Sequence, residues 1–261
     1  MQIGAQLYTC HKKIGTLEDF DLTLKKIADI GYRSVQVSGT CAFEPEWLRD
    51  ALDRYGLVCP VTHVPFKRIT EETEKVVKEH EVFGCRRIGL SFLPEEMQGS
   101  LEGYNEYKKL MLPAALKMRD MGAKYCFHNH WYDFGKLDGA NVIERMLEDF
   151  PKDSIDFILD LGWAAFAGED VLKLIDMLKG RLNCVHLKDY ADMPEDGSIT
   201  TNAYLRPIFE GKLDYDAYIQ ARAAAGCEYM LGEQDYCYDE DEFECLRRSF
   251  ENVTRRFPET K

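Results

Sequence analysis

The sequence predicts a single (β/α)8 TIM barrel, an α/β fold. Three observations carry that prediction. A short apolar run followed by an amphipathic segment recurs eight times; several of the amphipathic segments end on the same glycine stop; and 261 residues is close to the length at which one such barrel closes. Strands that alternate with helices imply right-handed βαβ crossovers and a parallel sheet. A doubly wound open sheet uses the same units, but the polar residues that finish successive strands, described below, favour the closed form.

The elements follow in order. A strand-like run at 2–8 leads to a helical stretch at 16–30 that stops in IADIGY, and SVQV at 34–37 leads to a helix at 45–55 that stops in LDRYGL. The run 58–63 precedes a helix at 71–83 ending in HEVFGC, and RIGL at 87–90 precedes one at 104–121 ending in RDMGAK. Strands at 124–128, 155–160 and 182–187 alternate with helices at 140–149 and 171–178. The last units are a helix at 214–225 stopped in ARAAAGC, a strand at 229–233 and a helix at 239–257. Gly31, Gly56, Gly84, Gly122 and Gly226 sit where a left-handed residue ends a helix. Between the seventh strand and the next helix, residues 190–212 read as a long irregular loop, the expected lid.

Composition narrows the function. Apolar residues at 45% and aromatics at 12% suit one globular domain spanning 1–261. The net charge of −13 would repel phosphate backbones and anionic lipid, so neither nucleic acid nor a membrane is an expected partner. The nine cysteines form no Cys-x-x-Cys pair and several lie in apolar runs, as reduced core residues do. With no basic leader and no span of about 20 apolar residues, the expected location is the cytoplasm. A homo-oligomer is compatible with all of this.

In a barrel of this kind the strand ends converge on one mouth, where the chemistry sits. Strand five ends in FHNH with His128 and His130, strand six in ILDLGW with Asp160, strand seven in VHLKDY with His186 and Lys188, and strand eight in LGEQD with Glu233. Each residue alone has an ordinary role available: a buried histidine holding a hydrogen bond, or Asp160 capping the next helix. Together, imidazoles and carboxylates after apolar runs are costly to bury without a partner. His128, Asp160, His186 and Glu233 are therefore the expected ligands of one divalent metal ion. Mixed nitrogen and oxygen donors suit Mn, Zn, Co or Fe, with Mn or Zn favoured.

At these residues the chain resembles the sugar phosphate isomerase/epimerase family, the xylose isomerase-like barrels that also include endonuclease IV-type proteins. It looks like the branch with a Tyr/Phe-His-Asn-His motif, here FHNHWYDF, followed by LDLGW, HLKDY and GEQD in order; the opening IGAQLYT and GYRSVQVSG also fit. In the family's keto-sugar epimerases, metal-binding glutamates after strands five and eight also act as bases. Resemblance gives Glu233 the strand-eight role, whereas His128 stands at the strand-five position. Where many relatives carry Gly-Glu-Gly after the lid, this chain has FEGK, with Glu210 at the acidic position and Phe209 in place of a glycine.

The expected function is a metal-dependent isomerase or epimerase that removes a proton next to the metal-bound carbonyl of a sugar, keto-sugar or sugar phosphate. Glu233 is the first choice of base, His130 the second acid/base or an extra ligand, and Lys188 a cation for an enolate oxygen or an anionic group. Trp163 could stack on a sugar face, Tyr8, Gln36 and His63 could supply neutral hydrogen bonds, and Arg206, like Lys67 and Arg68, could meet a phosphate. The alternative is a lyase or dehydratase on an inosose-like or keto-glycoside substrate, in which an imidazole such as His130 assists the departing group. An abasic-site endonuclease needs several zinc ions and a basic face, and a non-catalytic sugar sensor does not need an intact ligand set.

Overall fold

The computed structural model describes residues 2–195, 198 and 203–260. Eight parallel strands form the barrel: β1 (Gln2–Gln6), β2 (Ser34–Gln36), β3 (Thr62–His63), β4 (Arg87–Leu90), β5 (Lys124–His128), β6 (Ile155–Asp160), β7 (Leu182–Leu187) and, after a small ribbon of β8 (Asp189–Ala191) and β9 (Tyr204–Arg206), β10 (Tyr229–Gly232). Around it lie α1 (Leu17–Ile30), α2 (Pro45–Tyr55), α3 (Phe66–Glu71), α4 (Thr73–Val82), α5 (Leu101–Asp120), α6 (Val142–Asp149), α7 (Leu161–Phe166), α8 (Val171–Met177), α9 (Tyr215–Ala224) and α10 (Glu242–Arg256). No helix among the described residues is long and apolar enough to cross a membrane.

The ladder runs continuously from β2 through β1, β10, β7, β6, β5 and β4 to β3. It closes through bridges, Ser34 to Val58 and Val37 to Thr62, with the His63 N–H donating to the Val37 carbonyl at 2.9 Å. The third strand is shorter than the run 58–63 suggested. Pro60 interrupts it, because a proline carries no N–H for the ladder.

Side chains alternate along each strand, so a period of two fixes what lies under the mouth. Val61, Cys126, Ile158, Cys184 and Leu231 form a dry apolar plug inside the barrel. Two residues further on, β5, β6, β7 and β10 present or lead directly to His128, Asp160, His186 and Glu233. A larger apolar shell packs the helices on the outside of the sheet. All nine cysteines are free thiols, and eight of them are buried.

Several local features differ from the sequence expectation for identifiable reasons. The first strand stops at Gln6, whose side-chain oxygen accepts from the Tyr8 N–H at 2.8 Å and turns Leu7–Lys13 into a 3₁₀ segment. The helix expected at 71–83 is preceded by a separate turn of helix, α3, and the two are divided at Glu72 (φ −121°). A six-residue helix, α7, follows β6 directly; its Gly162 lies so close to β7 that a Cβ there would stand 2.1 Å from the Lys188 carbonyl oxygen.

The loop at 190–212 is partly ordered as the antiparallel β8–β9 ribbon, while residues 196, 197 and 199–202 lie outside the described residues. The Asp189 carboxylate ties the loop's base by accepting from the N–H groups of Tyr190, Phe209, Gly211 and Leu213. Phe209, at the position where the resemblance places a glycine, adopts φ +69°, a conformation glycine takes without strain.

One buried group makes the fold acid-sensitive. His80 Nδ1–H donates to the Val76 carbonyl at 2.7 Å, and the Thr62 hydroxyl donates to Nε2 at 2.8 Å. Burial pulls its pKa down to about 4, against a weaker upward pull from Val76. The folded value lies below the usual 6.5, so the unfolded chain binds the extra proton and stability falls as pH drops from 6.5 towards 4. Urea denaturation at pH 7.5 and pH 5 should show wild type losing about 2 kcal/mol more than His80→Gln over that interval; equal losses would refute the assignment.

Candidate metal centre

Four neighbouring strands, β5, β6, β7 and β10, deliver His128, Asp160, His186 and Glu233 to one point, and one donor atom of each lies within 4.8 Å of all the others. Asp160 Oδ2 is 3.6 Å from His128 Nε2 and 3.8 Å from His186 Nδ1, and Glu233 Oε2 is 3.0 Å from His186 Nδ1. All four residues are buried.

Hydrogen bonds fix three of these side chains from behind. His128 Nδ1–H donates to the Ser91 carbonyl at 2.9 Å, His186 Nε2–H donates to Gln36 Oε1 at 2.6 Å, and Asp160 Oδ1 caps α7 by accepting from the Trp163 N–H at 2.8 Å. Asn129 holds the Asp160 backbone through both its N–H and its carbonyl. The capping role and the cluster role of Asp160 thus use different oxygens. Facing the centre are His128 Nε2, Asp160 Oδ2, His186 Nδ1 and Glu233 Oε2; none makes a hydrogen bond of good geometry, and the nearest carboxylate oxygen to His128 Nε2 is 3.6 Å away. Buried polar atoms rarely remain unbonded, and anchored imidazoles with their free nitrogens turned inward are the usual outer arrangement of a metal site.

Charge points the same way. The Lys188 ammonium, fully buried, lies 2.9 Å from Asp160 Oδ2, 3.0 Å from Glu233 Oε2 and 2.9 Å from Asp235 Oδ2. Three carboxylates against one ammonium leave two negative charges when the imidazoles are neutral, the charge that a divalent cation balances. Burial opposes ionisation of Asp160 and Glu233, yet Lys188 and the imidazoles hold both carboxyls well below the usual carboxylate range. Burial pushes Asp235 up to about 6 despite Lys188. Burial also pulls His186 down, but Glu233 and Asp160 outweigh it and lift the imidazole to about 9, so a cation entering the centre must displace that proton.

The remaining predicted residues divide into two groups. His130 stands edge-on to His128 with ring centroids 4.8 Å apart and stacks on Tyr132 at 5.2 Å. Burial, then His128 and Lys188, lowers its pKa well below the ordinary value, so the ring is neutral; its side chain sits at the N-cap of the 3₁₀ turn Trp131–Phe134, facing the Asp133 N–H. His63 lies 5.1 Å from the His128 ring and 6.0 Å from that of His186, with Nδ1 bonded to the Ser38 hydroxyl at 3.1 Å. Trp163 lies under the Lys188 ammonium at 4.7 Å. Gln36 reaches the cluster through His186. The Tyr8 ring is stacked on His11, and burial followed by Asp235, Tyr236 and Glu233 raises its hydroxyl pKa.

Arg206 is not brought to the cluster: its guanidinium is held by the Tyr204 hydroxyl at 3.1 Å and by Glu240 at 3.9 Å. Arg68 is likewise committed to Glu79 at 2.8 Å. Glu210 meets Arg248 at 3.5 Å and Asn252, away from the four donor atoms. The residue that sequence reasoning passed over is Asp235, two positions beyond Glu233; the alternation that singled out His130 and Lys188 applies to it equally. Ser91 gave no signal, because it acts through its backbone.

Comparison with known proteins follows from this geometry. The family description of the xylose isomerase-like TIM barrel matches residues 24–233. An inosose dehydratase of Geobacillus thermodenitrificans is 24% identical over 252 residues, covering 83% of each chain. Among solved structures, a sugar phosphate isomerase/epimerase of Parabacteroides distasonis superposes with a TM-score of 0.80 at 16% identity, over 100% of this chain and 95% of that one. A probable 3-DHS dehydratase of Bacillus anthracis, AsbF, superposes with a TM-score of 0.75 at 14% identity, over 98% and 100%. With four-fifths of its length inside the family description, the chain belongs to the xylose isomerase-like TIM barrel family.

Proposed function

We propose that this protein is a metal-dependent dehydratase that eliminates water from an unphosphorylated, inosose-like polyhydroxy ketone. The observation that carries this reading is His130: a neutral imidazole, its ring 4.8 Å from that of His128 beside the donor cluster, in a site whose strand-five residue is His128 rather than a carboxylate. The similarity to an inosose dehydratase supports it. Arg68 pairs with Glu79 at 2.8 Å and Arg206 with Glu240 at 3.9 Å, contacts that compete with a phosphate for both guanidiniums.

His128, Asp160, His186 and Glu233 would hold one divalent ion, with Zn and Mn suited to this donor set. When bound, the ion supplies Lewis acidity that eases proton loss beside a ketone. The protein's own groups do the rest. Being neutral, His130 must take a proton before it can give one. Its unprotonated ring nitrogen accepts the proton from the carbon next to the ketone, and the C–H electron pair moves towards the carbonyl, where the Lys188 ammonium stabilises the developing negative charge. The same imidazole then returns the proton to the hydroxyl on the β-carbon, which leaves as water; the product is an unsaturated ketone. Glu233, 3.0 Å from both Lys188 and His186, stays ionised and holds the site's geometry. The buried and unpartnered Gln36 Nε2, His63 Nε2 and Trp163 Nε1 offer neutral hydrogen bonds of the kind a polyol accepts and donates.

A second reading, isomerase or epimerase, is favoured by the similarity in fold to the Parabacteroides protein. There Glu233 would be the base and His130 its counterpart. Incubation of metal-loaded protein with inososes and keto-sugars in D2O, followed by NMR, separates the two. Loss of a hydroxyl is the expected result; deuterium incorporation with every hydroxyl retained would replace the dehydratase reading with the isomerase one.

Metal content provides an independent check. Purified wild type should carry about one zinc or manganese ion per chain by elemental analysis, and His186→Ala and Asp160→Ala should lose it; full retention in both variants would remove the metal centre. His130→Gln should keep the metal and lower kcat by roughly a hundredfold or more. An unchanged kcat would take the proton transfer away from His130.

A further inference from the structure

Four aromatic side chains among the described residues are exposed, and all four lie on loops that follow strand ends at the mouth: Tyr8 after β1, Phe92 after β4, Trp131 after β5 and Tyr236 after β10. Among the described residues, the helices expose aliphatic side chains such as Leu22 and Leu172, while their aromatics, such as Tyr55, Tyr218 and Phe243, are at least partly buried. Water-exposed aromatic surface is unfavourable, and its confinement to one rim marks a binding surface rather than ordinary scatter.

On one side of the mouth the rings form a connected wall. Phe92 meets His130 at 6.4 Å, His130 stacks on Trp163 at 6.4 Å, Trp163 meets Phe166 at 5.7 Å, and Phe166 meets both Trp131 at 6.3 Å and Tyr190 at 5.8 Å. The inner part of the wall, His130 with Trp163, already offers a polyol ring both a flat face and polar atoms. Phe92, 46% exposed, and Trp131, 40% exposed, lie one ring contact further out and touch neither the donor atoms nor Lys188. A free cyclitol carries a hydroxyl on nearly every carbon and has no apolar group to cover them.

We infer that the substrate is a polyhydroxy ketone bearing an aryl-sized apolar substituent, seated on the wall of Phe92 and Trp131 while the polyol ring lies at the donor cluster. The inference rests on the proposed ketone chemistry for the inner half of the site, but the outer half is argued from the rim alone. A planar substituent there stacks against the rings and covers surface that water otherwise wets, which raises affinity without touching the reacting atoms.

The test is a binding comparison that does not depend on turnover. Phenyl and methyl β-glucosides, which differ only in the substituent and, lacking the ketone, cannot undergo the elimination, are titrated calorimetrically into zinc-loaded protein and into metal-free protein. The phenyl compound should bind at least about tenfold more tightly in both forms, and the Phe92→Ala/Trp131→Ala double variant should bring the ratio to within about twofold of one. If the double variant does not fold, Trp131→Ala alone should still cut the ratio about threefold. A wild-type ratio near one, or a preference that survives these substitutions, overturns the aryl subsite. Failure of the dehydratase reading would appear separately, as intact hydroxyls in the D2O experiment with the phenyl preference unaffected.

Discussion

Burying Asp160, Glu233 and Asp235 around a single ammonium is the constraint on which the rest of the mouth depends. Each carboxylate lies within 3.0 Å of Lys188 Nζ, and none could stay ionised in so dry a place without compensating positive charge. One lysine is not enough for three. The imidazoles of His128 and His186 complete the set with atoms that accept a cation but add no negative charge. Removing any one carboxylate, or Lys188, would alter the protonation of the others, so these groups act as one titrating unit.

The barrel holds this arrangement because its strand ends are rigid and its backbone allows close approach. Beneath the donors, the buried side chains of Val61, Cys126, Ile158, Cys184 and Leu231 fill the barrel interior. Beside them, Gly162 lets α7 press against the Lys188 backbone, so the helix that Asp160 caps also buttresses the strand carrying the lysine. On the outer side the Asp189 carboxylate collects four backbone N–H groups and fixes the base of the β8–β9 ribbon immediately after Lys188. The phenylalanine at φ +69° belongs to this same knot. Its ring packs against Tyr215 and under Arg256, contacts that a glycine could not make and that offset the strained backbone.

The strand-and-helix alternation and the four donor residues were legible in the sequence for one reason: a residue at the end of an apolar β run has its direction fixed by the run. His128, Asp160 and His186 end or nearly end long strands, and their convergence followed from topology alone. What escaped was everything that depends on chain leaving that regular pattern. The helix α7 is only six residues long, and Pro60 shortens β3 without disturbing its hydrophobicity, whereas Asp235 was within reach of the same alternation that singled out Lys188. Arg206 was selected for its charge, but charge does not report direction; in the ribbon its guanidinium stacks on Tyr204. The carbonyl of Ser91 could not be read at all, since any residue supplies one.

The imidazole at position 128 connects charge balance to reaction type. A glutamate there would add a fourth carboxylate to a cluster that already has one more negative charge than Lys188 and a protonated His186 neutralise, and it would also supply a second base. His128 supplies neither. A proton taken from the substrate must then pass to Glu233, which Lys188 and His186 hold strongly ionised and therefore weakly basic, or to His130, which is neutral and has an unprotonated ring nitrogen. Burial makes His130 too a weaker base than a free imidazole, but once protonated it gives the proton up readily, which the second half of an elimination requires. A group with that property, placed beside a β-hydroxy ketone, is suited to completing an elimination, whereas inverting a stereocentre requires a second group to deliver a proton to the opposite face.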